Sequence, residues 1–237
     1  MATSCSKICK LLLLGRTSYR AAWKLQQELS SVRRSGRGDD TLILLEHEPV
    51  YTMGRSGSKD NVKASQETLL AAGLEVIEVD RGGDVTYHGP GQLVGYPILD
   101  LKGYGQDLHL YSRMLEEVII RTLAEYGIRS FRENGLTGVW TEKGKIAAIG
   151  IGVRNWVSIH GFSLNINPDM WYFSLINPCG ITNRPVATMC DFGIDTTLDE
   201  VRSKLEQQFS AVFNVQLLPV QEECVDELIP ARTHAVG

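Results

Sequence analysis

Residues 81–97 read RGGDVTYHGPGQLVGYP, and five of the chain's 23 glycines lie in these seventeen positions beside two prolines, one arginine and one histidine. Glycine allows positive φ and close approach of a ligand to the main chain, so 82–83 and 89–91 predict two tight bends around 84–88. The bends would present His88 together with accessible backbone N–H groups. A plain hairpin turn needs only about two special residues, so this density predicts a binding or catalytic site.

Apolar stretches flank the segment on both sides. Residues 74–79 predict a short strand before it, and residues 92–101 alternate into another strand after it. We therefore expect a loop that joins two strands of one sheet, where functional residues are common. The segment contains neither GxxxxGK[ST] nor a GxGxxG that opens a helix, so it does not predict a nucleotide-phosphate site.

The pattern RGGxxTxHGPGQ resembles the signature of the lipoyl(octanoyl) transferases, which are octanoyl-carrier-protein:protein N-octanoyltransferases of lipoic acid synthesis. The resemblance runs from about residue 8 to about residue 213. Further blocks follow in the family's order: EHEPVYTMGR at 46–55, TGVW at 137–140, GKIAAIGIGV at 144–153, HGFSLNIN at 160–167 and INPCGI at 176–181. Together these blocks are specific, and they imply a fold similar to that of lipoate/biotin protein ligase catalytic domains.

Composition narrows the classes of partner. A chain of 237 residues with 43% hydrophobic content can fill the core of one domain. The net charge of −4 argues against a nucleic-acid partner. No apolar run approaches the ~20 residues that span a bilayer, so we expect no membrane insertion.

The cysteines are odd in number and irregularly spaced, which predicts a reducing compartment without a disulfide framework. They are Cys5, Cys9, Cys179, Cys190 and Cys224. A C-x3-C pair without a second Cys/His pair is usually incidental, so we expect no metal. The implied chemistry needs no cofactor.

The N-terminus carries five basic residues before the first acid at Glu28, the charge bias of a mitochondrial presequence. Because a strand is predicted from residue 8, only residues 1–7 are free to form a targeting extension. We expect the catalytic domain at 8–215 and a tail at 216–237. The predicted location is mitochondrial, or cytoplasmic if the source is bacterial.

Periodicity predicts a single α+β domain, a mixed or antiparallel sheet with packed helices. The predicted helices cover 18–32, 65–72, 108–126 and 197–213. Residues 145–153 and 156–164 predict an antiparallel hairpin joined by residues 154–155.

Cys179 lies between Pro178 and Gly180, a turn that would project its thiol outward and favours a nucleophile over a packing cysteine. A thiol with a pKa of about 8.5 is mostly protonated at neutral pH, so it needs a partner. The residues alone favour His88, with His160 as a further histidine, and do not separate Lys143 from Lys145. The resemblance implies that Lys145 is the partner.

The resemblance also implies the substrate pocket and places His47 near the acyl cavity. Its implied pocket residues are Arg81, Gly82, Gly83, Asp84, Val85, Thr86, Tyr87, His88, Ala148, Ile149, Gly150, Gly161, Phe162 and Ser163. Small and apolar side chains in the last two blocks suit an eight-carbon chain in a narrow tunnel.

The implied reaction is acyl transfer in two steps. Octanoyl-acyl carrier protein donates an octanoyl group to Cys179, and a specific lysine of a lipoyl domain then accepts it as an amide. The implied acceptors are the lipoyl domains of 2-oxoacid dehydrogenase complexes and the glycine cleavage H protein. Each step passes through an oxyanion, which backbone N–H groups near the glycines would stabilise.

Two other functions compete with this one. An ATP-dependent lipoate or biotin protein ligase would use Lys145 but has no need of Cys179, so ATP-dependence of labelling separates the two. A non-catalytic acyl-binding protein would need neither residue.

Overall fold

The computed structural model describes residues 7–178, 184–221 and 228. The strands and helices in chain order are β1 (Lys7–Thr17), α1 (Tyr19–Arg34), β2 (Asp40–His47), β3 (Val50–Met53), α2 (Gln66–Ala71), β4 (Val76–Glu78), β5 (Val85–His88), β6 (Gln92–Ile98), α3 (Leu108–Ala124), β7 (Phe131–Glu133), β8 (Leu136–Thr141), β9 (Gly144–Arg154), β10 (Val157–Asn165), α4 (Met170–Ser174), α5 (Leu198–Phe213) and β11 (Val215–Val220). In the described part of the chain, no helix is long and apolar enough to cross a membrane.

Eight strands form one sheet in the order β11-β1-β2-β6-β10-β9-β8-β7. The first three of these strands pair in parallel, and the rest continue antiparallel from β2 to β7. The predicted α+β class with a mixed sheet and packed helices is confirmed.

Helices cover both faces of this sheet. On one face α1 packs against β10, β6 and β2, and on the other face α3 and α5 pack against each other. Local sequence sets their starts: the Ser18 side chain accepts from Ala21 N–H, and Thr197 and Glu200 form a reciprocal capping box at α5. The core therefore lies in two layers, one on each side of the sheet.

A second, smaller sheet has the order β4-β3-β5 and its own core. The expectation of a glycine-rich loop joining two strands of one sheet is therefore wrong. Residues 85–88 are themselves a strand, which pairs antiparallel with β3, and the segment connects the small sheet to β6 in the large one. The cause is a non-local pairing, which glycine content does not reveal.

Other differences are confined to short elements. The hairpin of β9 and β10 is confirmed, but its turn is Asn155-Trp156, both with positive φ, one residue later than expected. The boundary expected at residue 215 falls within β11, which pairs with β1 as far as Val220. The second detail depends on a pairing partner that is distant in sequence.

Candidate active site

The pleat of β5 divides its side chains between two environments. Thr86 and His88 face a cavity, whereas Val85 and Tyr87 belong to the core of the small sheet. Successive side chains of a strand point to opposite faces, so a continuous stretch of predicted pocket residues could not all line one pocket.

We call this cavity the main cavity, and eleven of the fourteen expected pocket residues line it. They are Arg81, Gly82, Gly83, Thr86, His88, Ala148, Ile149, Gly150, Gly161, Phe162 and Ser163. Tyr19, Tyr96 and His160 complete the lining and were not expected there. Tyr19 is one of the buried residues of α1, and the contact of α1 with the sheet brings it to the cavity.

Asp84, Val85 and Tyr87 do not line the main cavity. The Asp84 carboxylate accepts from the backbone N–H groups of Ser58 (3.1 Å) and Val85 (2.6 Å) and from the Asn61 amide. It therefore organises the loop that follows β3.

Glycine pairs keep the cavity floor free of side chains. Gly150 in β9 lies directly opposite Gly161 in β10. A Cβ added at Gly150 would lie 3.0 Å from Cδ of Arg81, and one at Gly161 would lie 2.2 Å from the Gly95 carbonyl oxygen. Only glycine fits at Gly161, and a larger residue at Gly150 would displace Arg81.

Arg81 is buried and holds the cavity wall in place. Its Nη2 donates to the Thr52 carbonyl oxygen (2.7 Å) and to Thr52 Oγ1 (2.9 Å), and its Nη1 donates to the Gly82 carbonyl oxygen (2.9 Å). These bonds tie the first glycine bend to β3.

A second cavity adjoins the main cavity and shares Thr86, Ala148 and Ser163 with it. Its lining adds Gln92, Lys145, Ala147, Asn165, Phe173, Pro178 and Val186. We call this the reacting end, because it contains Lys145. The two cavities are therefore neighbours along β9, which contributes Lys145 to one and Gly150 to the other.

Lys145 is 9% exposed, and its Nζ lies 5.5 Å from the centre of the Trp140 ring. The side chain occupies space left by Gly138, where an added Cβ would lie 2.6 Å from Cε of Lys145. This is a physical reason for the glycine in the TGVW block.

Cys179 lies outside the described residues, but the chain on both sides of it is held at Lys145. Pro178 lines the reacting end with Lys145. On the other side, Lys145 N–H donates to the Pro185 carbonyl oxygen (2.9 Å), and Ala187 N–H donates to the Lys145 carbonyl oxygen (2.9 Å). Described residues on both sides of 179–183 therefore lie near this lysine.

The other candidate partners lie elsewhere. Lys143 Nζ donates to the Asp191 carbonyl oxygen and lies 4.7 Å from the centre of the Phe192 ring, outside both cavities. His88 is buried, and its Nδ1 lies 2.9 Å from Gln92 Oε1. Burial, with a smaller effect from nearby His47, holds the pKa of His88 well below its usual value.

His47 lies behind the main cavity, not in its lining. Its ring centre lies 5.1 Å from that of Tyr19 and 5.7 Å from that of His88. Burial lowers the pKa of His47 to about 4, opposed by its hydrogen bond to the Thr17 carbonyl oxygen. The imidazole is therefore neutral at physiological pH.

Gln92 and Asn165 connect His88 to the reacting end. Gln92 Nε2 donates to Asn165 Oδ1 (2.8 Å), and Asn165 Nδ2 donates to the Ala187 carbonyl oxygen (3.1 Å). Sequence reasoning missed both residues, although each lies within a block quoted for the resemblance. Chemically, the site holds one amine, that of Lys145, in a narrow and largely apolar cavity.

Comparisons with known proteins identify the family. A family model described as the lipoyl protein ligase A/B catalytic domain matches residues 18–210. The octanoyltransferase of Solibacter usitatus is 47% identical over 211 residues, which cover 89% of this chain and 96% of that protein. The octanoyltransferase of Geobacter metallireducens is 45% identical over 205 residues, covering 86% and 93% respectively.

Solved structures share the fold. A bipartite lipoate protein ligase from Thermoplasma acidophilum superimposes with a TM-score of 0.73 at 19% identity, over 95% of this chain and 91% of that one. A lipoate-protein ligase A bound with ATP gives a TM-score of 0.71 at 18% identity, over 94% and 92%. The chain therefore belongs to the lipoyl protein ligase A/B catalytic-domain family and, within it, to the octanoyltransferases.

Proposed function

We propose that this protein transfers an octanoyl group from octanoyl-acyl carrier protein to a lysine of a lipoyl domain, through a thioester on Cys179. Membership of the octanoyltransferases supports octanoyl transfer in lipoate synthesis. The observation that carries the thioester step is that Pro178 and Pro185, on either side of Cys179, both lie at Lys145.

In the first step the Cys179 thiolate attacks the carbonyl carbon of the donor thioester. A new C–S bond forms to Cys179, the C–S bond to the carrier breaks, and the carrier thiolate leaves with the proton of the Lys145 ammonium, which leaves Lys145 neutral. The Lys145 ammonium stabilises the attacking thiolate, because an adjacent positive charge favours the ionised form.

In the second step the neutral ε-amine of the acceptor lysine attacks the enzyme thioester. A C–N bond forms, the C–S bond to Cys179 breaks, and the amine gives up one proton. Lys145, neutral after the first step, accepts that proton, and the departing Cys179 thiolate with the Lys145 ammonium restores the starting enzyme. The thioester already activates the acyl group, so the reaction consumes no ATP.

The main cavity suits the acyl chain. Its lining combines Ala148, Tyr19 and Tyr96 with backbone at Gly82 and Gly150. An acyl chain there would have its carbonyl carbon at the reacting end and its methyl end toward Tyr96.

The proposed acceptor of the octanoyl group is suggested by a related lipoylation system. The Thermoplasma ligase belongs to an archaeal lipoylation system with an E2 lipoyl domain. For this chain we propose lipoyl domains of 2-oxoacid dehydrogenase complexes and the glycine cleavage H protein as acceptors. An ATP-dependent ligase is the competing function, and it predicts that labelling of a lipoyl domain stops when ATP is withheld.

The proposed location is the mitochondrial matrix, supported by the acid-free run before Glu28. The test is fractionation of a eukaryotic host that expresses the full chain with a C-terminal tag. Exclusively cytosolic protein would remove this part of the proposal.

Intact-mass measurement tests the reaction. The protein is incubated with octanoyl-acyl carrier protein, without ATP, and the expected product is one octanoyl adduct located at Cys179. Adding a lipoyl domain should discharge the adduct and add the same mass to that domain. A lipoyl domain labelled only with ATP and free octanoate would instead support the ligase.

A further inference from the structure

We infer that Tyr19, Tyr96 and His160 form the closed end of the main cavity and set the longest acyl chain that the enzyme accepts. This inference deepens the proposed function and rests on it, because it requires the acyl chain to occupy the main cavity with its carbonyl at Lys145.

The register of the sheet orders the residues along the path. Gln92 and Asn165 are paired across β6 and β10 at the reacting end, and Gly95 pairs with Phe162 farther along the same two strands. Tyr96 and His160 follow at the far end of the main cavity. Lys145 and these two rings therefore lie at opposite ends.

The far end is closed by packed rings. Tyr19 is 3% exposed, Tyr96 is 3% exposed and His160 is 1% exposed. Behind them, the ring centre of Trp23 lies 6.4 Å from that of His160, and that of His47 lies 5.8 Å from that of Tyr96. An acyl chain that extends to this end meets these packed rings.

His160 takes its place in this wall through an unusual backbone conformation. Along β10, Phe162 and Leu164 belong to the core on the α3 side of the sheet, and strict alternation would put His160 beside them. Its φ of +61° turns the ring to the α1 side instead. Residues with a side chain adopt such angles at a cost, and that cost is often found at functional sites.

Three hydrogen bonds hold His160 in this position. Its Nε2 donates to Asp80 Oδ1 (2.7 Å), its Nδ1 lies 3.4 Å from the Tyr19 hydroxyl, and its backbone N–H donates to Gln26 Oε1 (2.9 Å). These partners come from α1 and from the chain just before the signature segment. The wall is thus built from three parts of the chain.

The same network turns the hydroxyl protons away from the cavity. His47 Nδ1 must carry a proton to bond the Thr17 carbonyl oxygen (2.8 Å), so its Nε2 accepts from the Tyr96 hydroxyl (2.7 Å). Likewise His160 Nε2 donates to the Asp80 carboxylate, so its Nδ1 accepts from the Tyr19 hydroxyl. The tyrosines therefore offer ring surface to the chain end, as an alkyl group requires.

The test is to remove side chains from the wall and to measure which acyl length the enzyme prefers. His160→Gly removes the ring at a positive-φ position that glycine adopts readily, so the fold should survive. Tyr96→Ala is the second opened variant. Each is given equal amounts of octanoyl- and decanoyl-acyl carrier protein, and the ratio of the two enzyme adducts is read by intact mass. We expect the decanoyl share to rise about tenfold, the effect of burying two more methylenes.

A matched control accompanies the opened variants. Tyr104→Leu removes a buried tyrosine that packs against Phe213, away from the cavity, and should lower stability without changing the ratio.

An unchanged ratio in a folded opened variant overturns the inference, as does an equal rise in Tyr104→Leu. Failure of the proposed function would look different, because the wild type would then form no adduct at all. In that case calorimetric binding of free octanoate and decanoate decides the inference: a gain in decanoate affinity confined to the opened variants supports it, and equal affinities overturn it.

Discussion

The two ends of the acyl path are built in opposite ways. At the closed end, neutral rings are held by hydrogen bonds that run from Tyr96 to His47 and from Tyr19 through His160 to Asp80. At the reacting end, the side chain of Lys145 lines the cavity while its backbone pairs with residues 185–187. The difference teaches that the fold separates recognition of the acyl chain from the chemistry at its carbonyl carbon. Acyl-length preference and catalysis can therefore be changed independently.

The largest effect is expected at the reacting end. Cys179→Ala should abolish transfer, by more than about a thousandfold, because no other group forms the thioester. Cys179→Ser should be nearly as poor, since an unactivated hydroxyl is a far weaker nucleophile. The measurement is octanoyl transfer to a lipoyl domain, with thermal unfolding to show that the fold persists. Cys190→Ala is the control: this exposed thiol lies outside both cavities, and wild-type rates are expected.

Next in size is the effect of Lys145. Lys145→Ala should shift alkylation of Cys179 by iodoacetamide to higher pH and slow both steps, because the thiolate loses its neighbouring cation. Lys145→Arg keeps the charge but, with a pKa above about 12, cannot accept the amine proton, so acyl-enzyme should accumulate.

Intact mass over time in the presence of a lipoyl domain distinguishes these variants. Lys143→Ala is the matched control, since Lys143 bonds Asp191 outside the cavities and should leave alkylation unchanged. If Lys145→Ala alkylates and transfers normally, the pairing with Cys179 is wrong and His88 is the next partner to test.

At the closed end we expect an effect on stability against pH. His47 is neutral in the fold with a pKa of about 4, against 6.5 for the free side chain. Below pH 6.5 the unfolded chain binds a proton that the folded chain does not, so stability falls as pH falls toward 4. Between pH 6.5 and pH 5 the loss from His47 should be about 2 kcal/mol.

Urea unfolding at both pH values measures this loss in the wild type and in His47→Gln. The variant should lose less stability over the interval, while His109→Gln, at the exposed start of α3, should behave as the wild type. Equal slopes in all three proteins would contradict a buried neutral His47.

The smallest effect is expected between the two ends. Gly150→Ala places a methyl group against Arg81 and should lower kcat/KM for the octanoyl donor about tenfold, since overpacking of about 1–3 kcal/mol is typical. Gly15→Ala is the control, because an added Cβ there meets nothing within 4 Å. A fully active Gly150→Ala enzyme would show that the chain does not cross the glycine floor.

Much of this protein could be predicted from local sequence. The helix starts at Ser18 and Thr197 and the hairpin of β9 and β10 follow from caps and alternation, which act between residues close in the chain. The signature segment at 81–97 and the Lys145 block identified the family because their residue types are themselves required by the site.

Tertiary structure decided the rest. The pairing of β5 with β3, the use of β11 as an edge strand, and the meeting of Tyr19, Tyr96 and His160 join residues that are far apart in sequence. Forming these long-range contacts costs the entropy of closing long loops, and it is stabilised by burial of apolar surface. Neither effect can be read from a short window of sequence. The sequence by itself therefore determined which chemistry the chain carries, whereas the tertiary structure decided which rings bound the cavity that serves it.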